Sequence, residues 1–141
     1  MPQKVILDVD TGTDDAVALM CAALHPDLEL VAATTVNGNT TLDYTTDNTL
    51  RVFDHIGKPI PVYKGMAKPL MRDDFPIPLS QIATSVIHGS SLPIPEARSQ
   101  VQDQSAVDFL IDYYLSPDGP DTILVPVGPL TNVGAALQRE P

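Results

Sequence analysis

Short runs of β-branched and aliphatic residues alternate with stretches of helix formers along this chain, and that alternation most narrows its fold. Lys4 to Val9 (KVILDV) is apolar enough for a strand buried on both faces. Ala16 to Leu24 (AVALMCAAL) is built from good helix formers, and His25-Pro26 stops it. Glu29 to Val36 reads as a second strand, closed by the polar turn Asn37-Gly38-Asn39. Thr40 to Ile56 reads as a helix, with Leu42, Thr49, Leu50, Val52, Phe53 and Ile56 partly matching helical spacing and Gly57-Lys58-Pro59 ending it. Ile60 to Tyr63 is a short strand. Asp103 to Leu115 is a helix with Val107, Leu110, Ile111 and Tyr114 on its apolar face. After the turn Pro117-Asp118-Gly119-Pro120, Thr122 to Val127 (TILVPV) reads as another buried strand, and Leu130 to Leu137 as another helix. This order specifies an α/β fold with a largely parallel open sheet and flanking helices.

Between Pro59 and Pro95 fall seven of the 14 prolines, so that stretch is mostly loop and edge. Pro-Ile-Pro recurs there at Pro59, Pro76 and Pro93, each 17 residues after the last, but the intervening residues share nothing and make no repeat. A length of 141 residues suits a single domain, and 43% hydrophobic residues exclude a disordered acidic tail. Eighteen Asp and Glu against eight Lys and Arg give a net charge of −10, which repels phosphate backbones and anionic lipid headgroups. Nucleic acid and membrane surfaces are therefore poor partners, whereas a small neutral or cationic ligand or a metal ion suits the charge. The one cysteine, Cys21, excludes an internal disulfide framework and agrees with a reducing cytoplasm. No apolar run approaches the roughly 18 residues of a spanning helix, and the N-terminus lacks the grammar of a signal peptide.

The acids are not evenly spread. Asp8, Asp10, Asp14 and Asp15 lie within eight residues where the first strand passes into the first helix, the end of a parallel strand at which ligands bind. Alternation sends Asp8 and Asp10 to the same side, Asp10 nearer the tip. Asp14 and Asp15 fall in the first helical turn, with Thr13 as its N-cap. Acids there complement the helix dipole and need no further role, but Asp10 at the end of an apolar strand is costly without a counter-charge. No Lys or Arg occurs between Val5 and Leu50, so a metal explains Asp10 better, and oxygen-only ligands favour Ca²⁺ or Mg²⁺. An EF-hand loop beginning at Asp8 fails, because Thr13 and Leu19 stand where Gly and Glu are required. A D-x-D phosphatase of the haloacid-dehalogenase type remains an alternative that leaves the Asp14-Asp15 pair unexplained.

The run Val5 to Leu19, with its D-x-D-x-G-x-D-D pattern, closely resembles the opening of the inosine–uridine preferring nucleoside hydrolases. Thr34-Thr35-Val36-Asn37-Gly38-Asn39, Val62-Tyr63-Lys64-Gly65, Ile87-His88-Gly89 and Leu124 to Asn132 resemble later motifs of that family, in its order. The resemblance implies a Rossmann-like fold and a ribonucleoside hydrolase that cleaves the N-glycosidic bond with a Ca²⁺-activated water, as in nucleoside salvage. It implies that Asp10, Asp15 and the backbone carbonyl of Val127 bind Ca²⁺, and that Asp10 also accepts the proton of the attacking water. Asp14 and Asn39 would hold ribose hydroxyls, His88 would lie near the substrate, and Asp8 would support the site from behind. Phe53, Phe75, Phe109 and the tyrosines are read as packing residues.

Two departures accompany the resemblance. Ser90-Ser91-Leu92-Pro93 follows His88-Gly89 where the family has a Gly-Leu pair, and Thr11 stands where it often has proline. Members of the family are also much longer. The expectation is that residues 1–141 form the N-terminal portion of one domain whose C-terminal part, with further ribose, metal and base contacts, is absent. Such a truncated chain would be non-catalytic with weak cation and ribose binding, or would act with the missing half. Its last helix would expose an apolar face, favouring a homo-oligomer or association with that half.

Overall fold

The computed structural model describes residues 1–71 and 88–141. Strand β1 (Gln3–Val9) is followed by helix α1 (Thr13–Leu24), strand β2 (Leu28–Thr35), helix α2 (Leu42–Ile56) and strand β3 (Val62–Lys64). Helix α3 (Ala106–Leu115), strand β4 (Thr122–Pro126) and helix α4 (Thr131–Arg139) complete the described fold. The four strands form one parallel sheet in the order β3-β2-β1-β4. Phe75, the Pro-Ile-Pro at Pro76, and Ile87 lie outside the described residues.

Alternation along β1 divides the core between two layers of helices. Val5, Leu7 and Val9 pack with Ala16, Leu19 and Ala22 of α1 and Leu50, Val52 and Phe53 of α2. Ile6 points the other way, into a cluster with Ala32, Phe109, Leu110 and Leu124. There Tyr63 stacks on Phe109, ring centroids 3.8 Å apart and planes 9° from parallel. Asp8 shares the parity of Ile6, which places it on the α3–α4 side of the sheet.

Local signals explain most boundaries. Gly57 at the end of α2 has φ +66°, the left-handed cap that glycine accepts at least cost. Ser105 caps α3 by accepting the Asp108 amide at 3.1 Å while donating to its carboxylate at 2.6 Å. Two expectations need correction. The N-cap of α1 is Gly12, not Thr13: Thr13 is already helical, and no side chain caps that end. Among the described residues strand β4 is outermost in the sheet and is not buried on both faces, with Ile123 52% exposed. An apolar run reads the same at an edge as in a sheet centre; its neighbours decide the burial. Leu130 and Leu137 beside it are also exposed.

Candidate active site

The acids gather at the carboxyl ends of the strands, where β1 has β2 on one side and β4 on the other. Parallel order 3-2-1-4 makes this the point at which the chain reverses its direction of winding, where such sheets open a ligand crevice. Val127 and Gly128 cross the tip of β1 there, both amides donating to the Asp8 carbonyl, at 2.9 and 3.2 Å.

Asp10 and Asp15 are both buried. The Asp15 carboxylate reaches back along the turn and accepts the Asp10 amide at 2.9 Å. As the third residue of α1 it acts like the acid of a capping box, extended two residues beyond the cap. Asp10 Oδ2 accepts the Asn39 amide at 2.7 Å, and the Asn39 side chain lies 3.5 Å from the Asp10 carbonyl. Backbone crowds Asp10 from two loops: a Cβ at Gly38 would fall on Oδ2, and one at Gly128 would lie 3.0 Å from Oδ1. Burial pushes the Asp10 pKa up to about 7; the Asn39 amide opposes this, and the neighbouring Asp15 charge adds to it. Asp15 is raised as well, chiefly by burial.

Asp8 lies one pleat behind and is fully buried. Its Oδ1 accepts from Thr34 Oγ1 at 2.6 Å and from Asn132 Nδ2 at 2.7 Å. Among the described residues its Oδ2 has no hydrogen-bond partner. Burial lifts its pKa to about 6 against these two donors, with Asp15 adding to the rise. A carboxylate enclosed in this way offers a phosphate ester no line of attack, which removes the physical basis of the D-x-D phosphatase alternative.

Asp14 stands outside this buried group, its side chain 70% exposed on the first turn of α1. His88 comes to it, with Nδ1 3.8 Å from Asp14 Oδ1. The imidazole packs so closely on the turn that a Cβ at Gly12 would overlap it. The fold thus brings Asp8, Asp10, Asp14, Asp15, Asn39, His88 and Val127 around one strand end, from four separate stretches of chain.

Sequence reasoning missed Asn132. Fully buried near the start of α4, it donates to Asp8 Oδ1 and to the Thr35 carbonyl at 2.9 Å, and accepts the Met66 amide at 2.8 Å. One amide thereby ties β1 and β2 to the chain leaving β3. A Cβ at Gly65 would collide with it. The Leu124–Asn132 motif contains this residue, but spacing alone gives no sign that its amide points inward.

The donor chemistry suits a hard cation: two adjacent carboxylates raised by burial, with neither paired to Lys or Arg among the described residues. The set is also small. No group of three or more His, Cys, Asp or Glu that could hold a metal ion occurs among the described residues. No helix among them is long and apolar enough to cross a membrane.

The sequence pattern of the inosine–uridine preferring nucleoside hydrolases matches residues 5–141. The pyrimidine-specific ribonucleoside hydrolase RihB of Escherichia coli (strain SE11) is 42% identical over 99% of this chain and 43% of its own. A purine-preferring ribonucleoside hydrolase from Gardnerella vaginalis has a similar structure, with TM-score 0.85 and 36% identity over 97% of this chain and 44% of that one. A plant nucleoside hydrolase, PpNRh1, also superposes with TM-score 0.85, at 30% identity over 100% of this chain and 44% of its own. The chain thus spans less than half the length of these relatives. With its motifs, sheet order and acidic strand end all in agreement with that match, the chain belongs to the inosine–uridine preferring nucleoside hydrolase family.

Proposed function

We propose that the acidic strand end is the sugar- and cation-binding part of a ribonucleoside hydrolase site that splits the N-glycosidic bond to free base and ribose. The observation carrying this reading is the adjacent buried pair Asp10 and Asp15, without a basic partner among the described residues, at the winding reversal of a parallel sheet. The substrate class is ribonucleosides as a whole, because the named relatives include a pyrimidine-specific and a purine-preferring enzyme.

Asp10, Asp15 and the Val127 carbonyl would hold a divalent cation, Ca²⁺ being the hard ion that oxygen donors suit. When bound, the ion supplies the positive charge that makes water a better nucleophile near neutral pH. Asp10 takes the proton of the attacking water, a role its burial and its fixed contact with the Asn39 amide prepare it for. Departure of the base leaves positive charge on the sugar ring, and the carboxylates of Asp10, Asp14 and Asp15 lower its cost. Asp14 and Asn39 accept hydrogen bonds from the ribose hydroxyls, with Asn39 also able to donate. His88, packed on Gly12 and facing Asp14, closes that side of the sugar site. Asp8 keeps the strand tip in place through Thr34 and Asn132.

The test is release of ribose from uridine and inosine in the presence of Ca²⁺. Asp10→Ala should lower turnover by about 10²–10⁴-fold, the usual contribution of a positioned base. A folded protein that releases no ribose from either nucleoside with the ion present overturns the reading.

A further inference from the structure

His88 comes from a different part of the chain than the acidic turn it touches, so something must hold the two in register. Loop 88–92 carries no helix or strand of its own. Among the described residues, Asn48, fully buried on α2, joins it to the acidic turn by hydrogen bonds. The Asn48 amide spends both ends on the two segments: Nδ2 donates to the Thr11 carbonyl at 3.1 Å, and Oδ1 accepts the Leu92 amide at 2.9 Å. On the next residue of α2, Thr49 Oγ1 lies 2.7 Å from Thr11 Oγ1 and secures the turn a second time. Thr11 itself is fully buried. Leu92 is buried too, against the α1–α2 core. The Asp10–Asp14 turn and the His88 loop therefore hang from adjacent residues of one helix.

We propose that Asn48 is a positioning residue that sets His88 against the Gly12 turn, beside Asp14, by tying loop 88–92 and the turn to the same point of α2. The inference rests on the hydrolase reading only for its consequence in catalysis; the placing of His88 can be read without turnover. Replacing the amide leaves the Thr11 carbonyl and the Leu92 amide without buried partners, so loop and turn lose their common anchor. A side chain that held α2 merely as packing would affect both segments and every substrate contact alike.

The test compares Asn48→Ala, Asn48→Asp, His88→Ala and the Asn48→Ala/His88→Ala double variant with the parent protein. The near-isosteric Asn48→Asp sets a carboxylate oxygen against the Thr11 carbonyl, and it carries the test if the alanine variant does not fold. In NMR spectra, Asn48 variants should speed hydrogen exchange at the Leu92 amide by about tenfold, the loss of one hydrogen bond. They should also move the His88 ring resonances while those of His25 and His55 stay in place. Unmoved His88 resonances overturn the proposal. With uridine and Ca²⁺, Asn48→Ala should raise KM by about tenfold when His88 is present. It should do so by no more than about twofold when His88 is already alanine. Equal factors in both backgrounds overturn the proposal. If uridine is not cleaved the comparison is run with inosine; parent protein that cleaves neither overturns the hydrolase reading, and the NMR measurement still decides the placing of His88.

Discussion

Asp10→Asn should make the metal-free protein more stable near neutral pH, against the usual outcome for a change at a buried site. Burial and the Asp15 charge raise the Asp10 pKa from 3.8 to about 7. Its folded form therefore binds a proton more tightly than the unfolded chain does. The resulting penalty is absent below the unfolded pKa, grows as the pH rises, and is complete above the folded pKa. A gap of about three units amounts to about 4 kcal/mol in the upper range. Asparagine removes this penalty and still accepts the Asn39 amide, but fitting an amide NH₂ where a carboxylate oxygen sits between the Gly38 and Gly128 backbones costs about 1 kcal/mol at any pH. The net gain at about pH 7.5 is then about 2–3 kcal/mol, or about 7–10 °C in Tm for a chain of this length. At about pH 4.5 most wild-type Asp10 is protonated in the folded protein, the penalty falls to about 1 kcal/mol, and the variant's advantage disappears. Thermal denaturation followed by circular dichroism at both pH values, with a chelator present, measures this directly. Adding Ca²⁺ at about 100 times its Kd should raise the wild type by about 2.7 kcal/mol and leave the variant nearly unmoved. A variant no more stable than wild type at the higher pH, or equally favoured at the lower, refutes the assignment of Asp10 as a buried, charge-frustrated carboxylate.

Two further substitutions probe the frame around that carboxylate. Asn132→Ala removes three hydrogen bonds, two of them buried, and leaves Asp8, the Thr35 carbonyl and the Met66 amide short of partners. Urea denaturation should show a loss of about 3–5 kcal/mol. Gly38→Ala places a methyl group where Asp10 Oδ2 now lies. Ribose release should fall by about a hundredfold through displaced chemistry while Tm stays within a few degrees.

Much of the fold was legible because its signals are local. Lys4–Val9 could only be a buried strand, His25-Pro26 and Gly57 stop their helices by backbone geometry alone, and the order of elements then forces a parallel sheet. The acidic cluster was legible for a related reason: a carboxylate at the end of an apolar strand conflicts with its surroundings, and such conflicts mark sites. What stayed hidden depends on partners distant in sequence. Strand β4 has the composition of a central strand and, among the described residues, lies outermost. Asn48, Thr45 and Thr46 have the look of a solvated helix face, yet all are buried. Asn132 is separated by 124 residues from the Asp8 carboxylate it serves. No periodicity within a helix records that such polar side chains turn inward beside Leu50, Val52 and Phe53.

Those inward polar side chains explain how the site is held. A core made only of aliphatic side chains would pack α2 onto the sheet but would leave the loops at the strand ends to find their own positions, since dispersion and burial have little direction. Hydrogen bonds have direction, and buried ones left unmade are costly. On α2 they run from Thr45 to the Val36 carbonyl, from Thr46 to Thr35, from Asn48 to Thr11 and Leu92, and from Thr49 to Thr11. Each reaches a strand end or a loop bordering the acids, and Asn132 does the same from the opposite layer. Lower in the sheet, where β1 carries Val5, Ile6 and Leu7, the packing is apolar on both faces. The molecule therefore changes its means of cohesion along the strands, from burial at the base to directed hydrogen bonds at the carboxyl ends. Such bonds hold Asp10 and Asp15 near each other despite their mutual repulsion, an arrangement whose charge suits a cation or a developing positive charge.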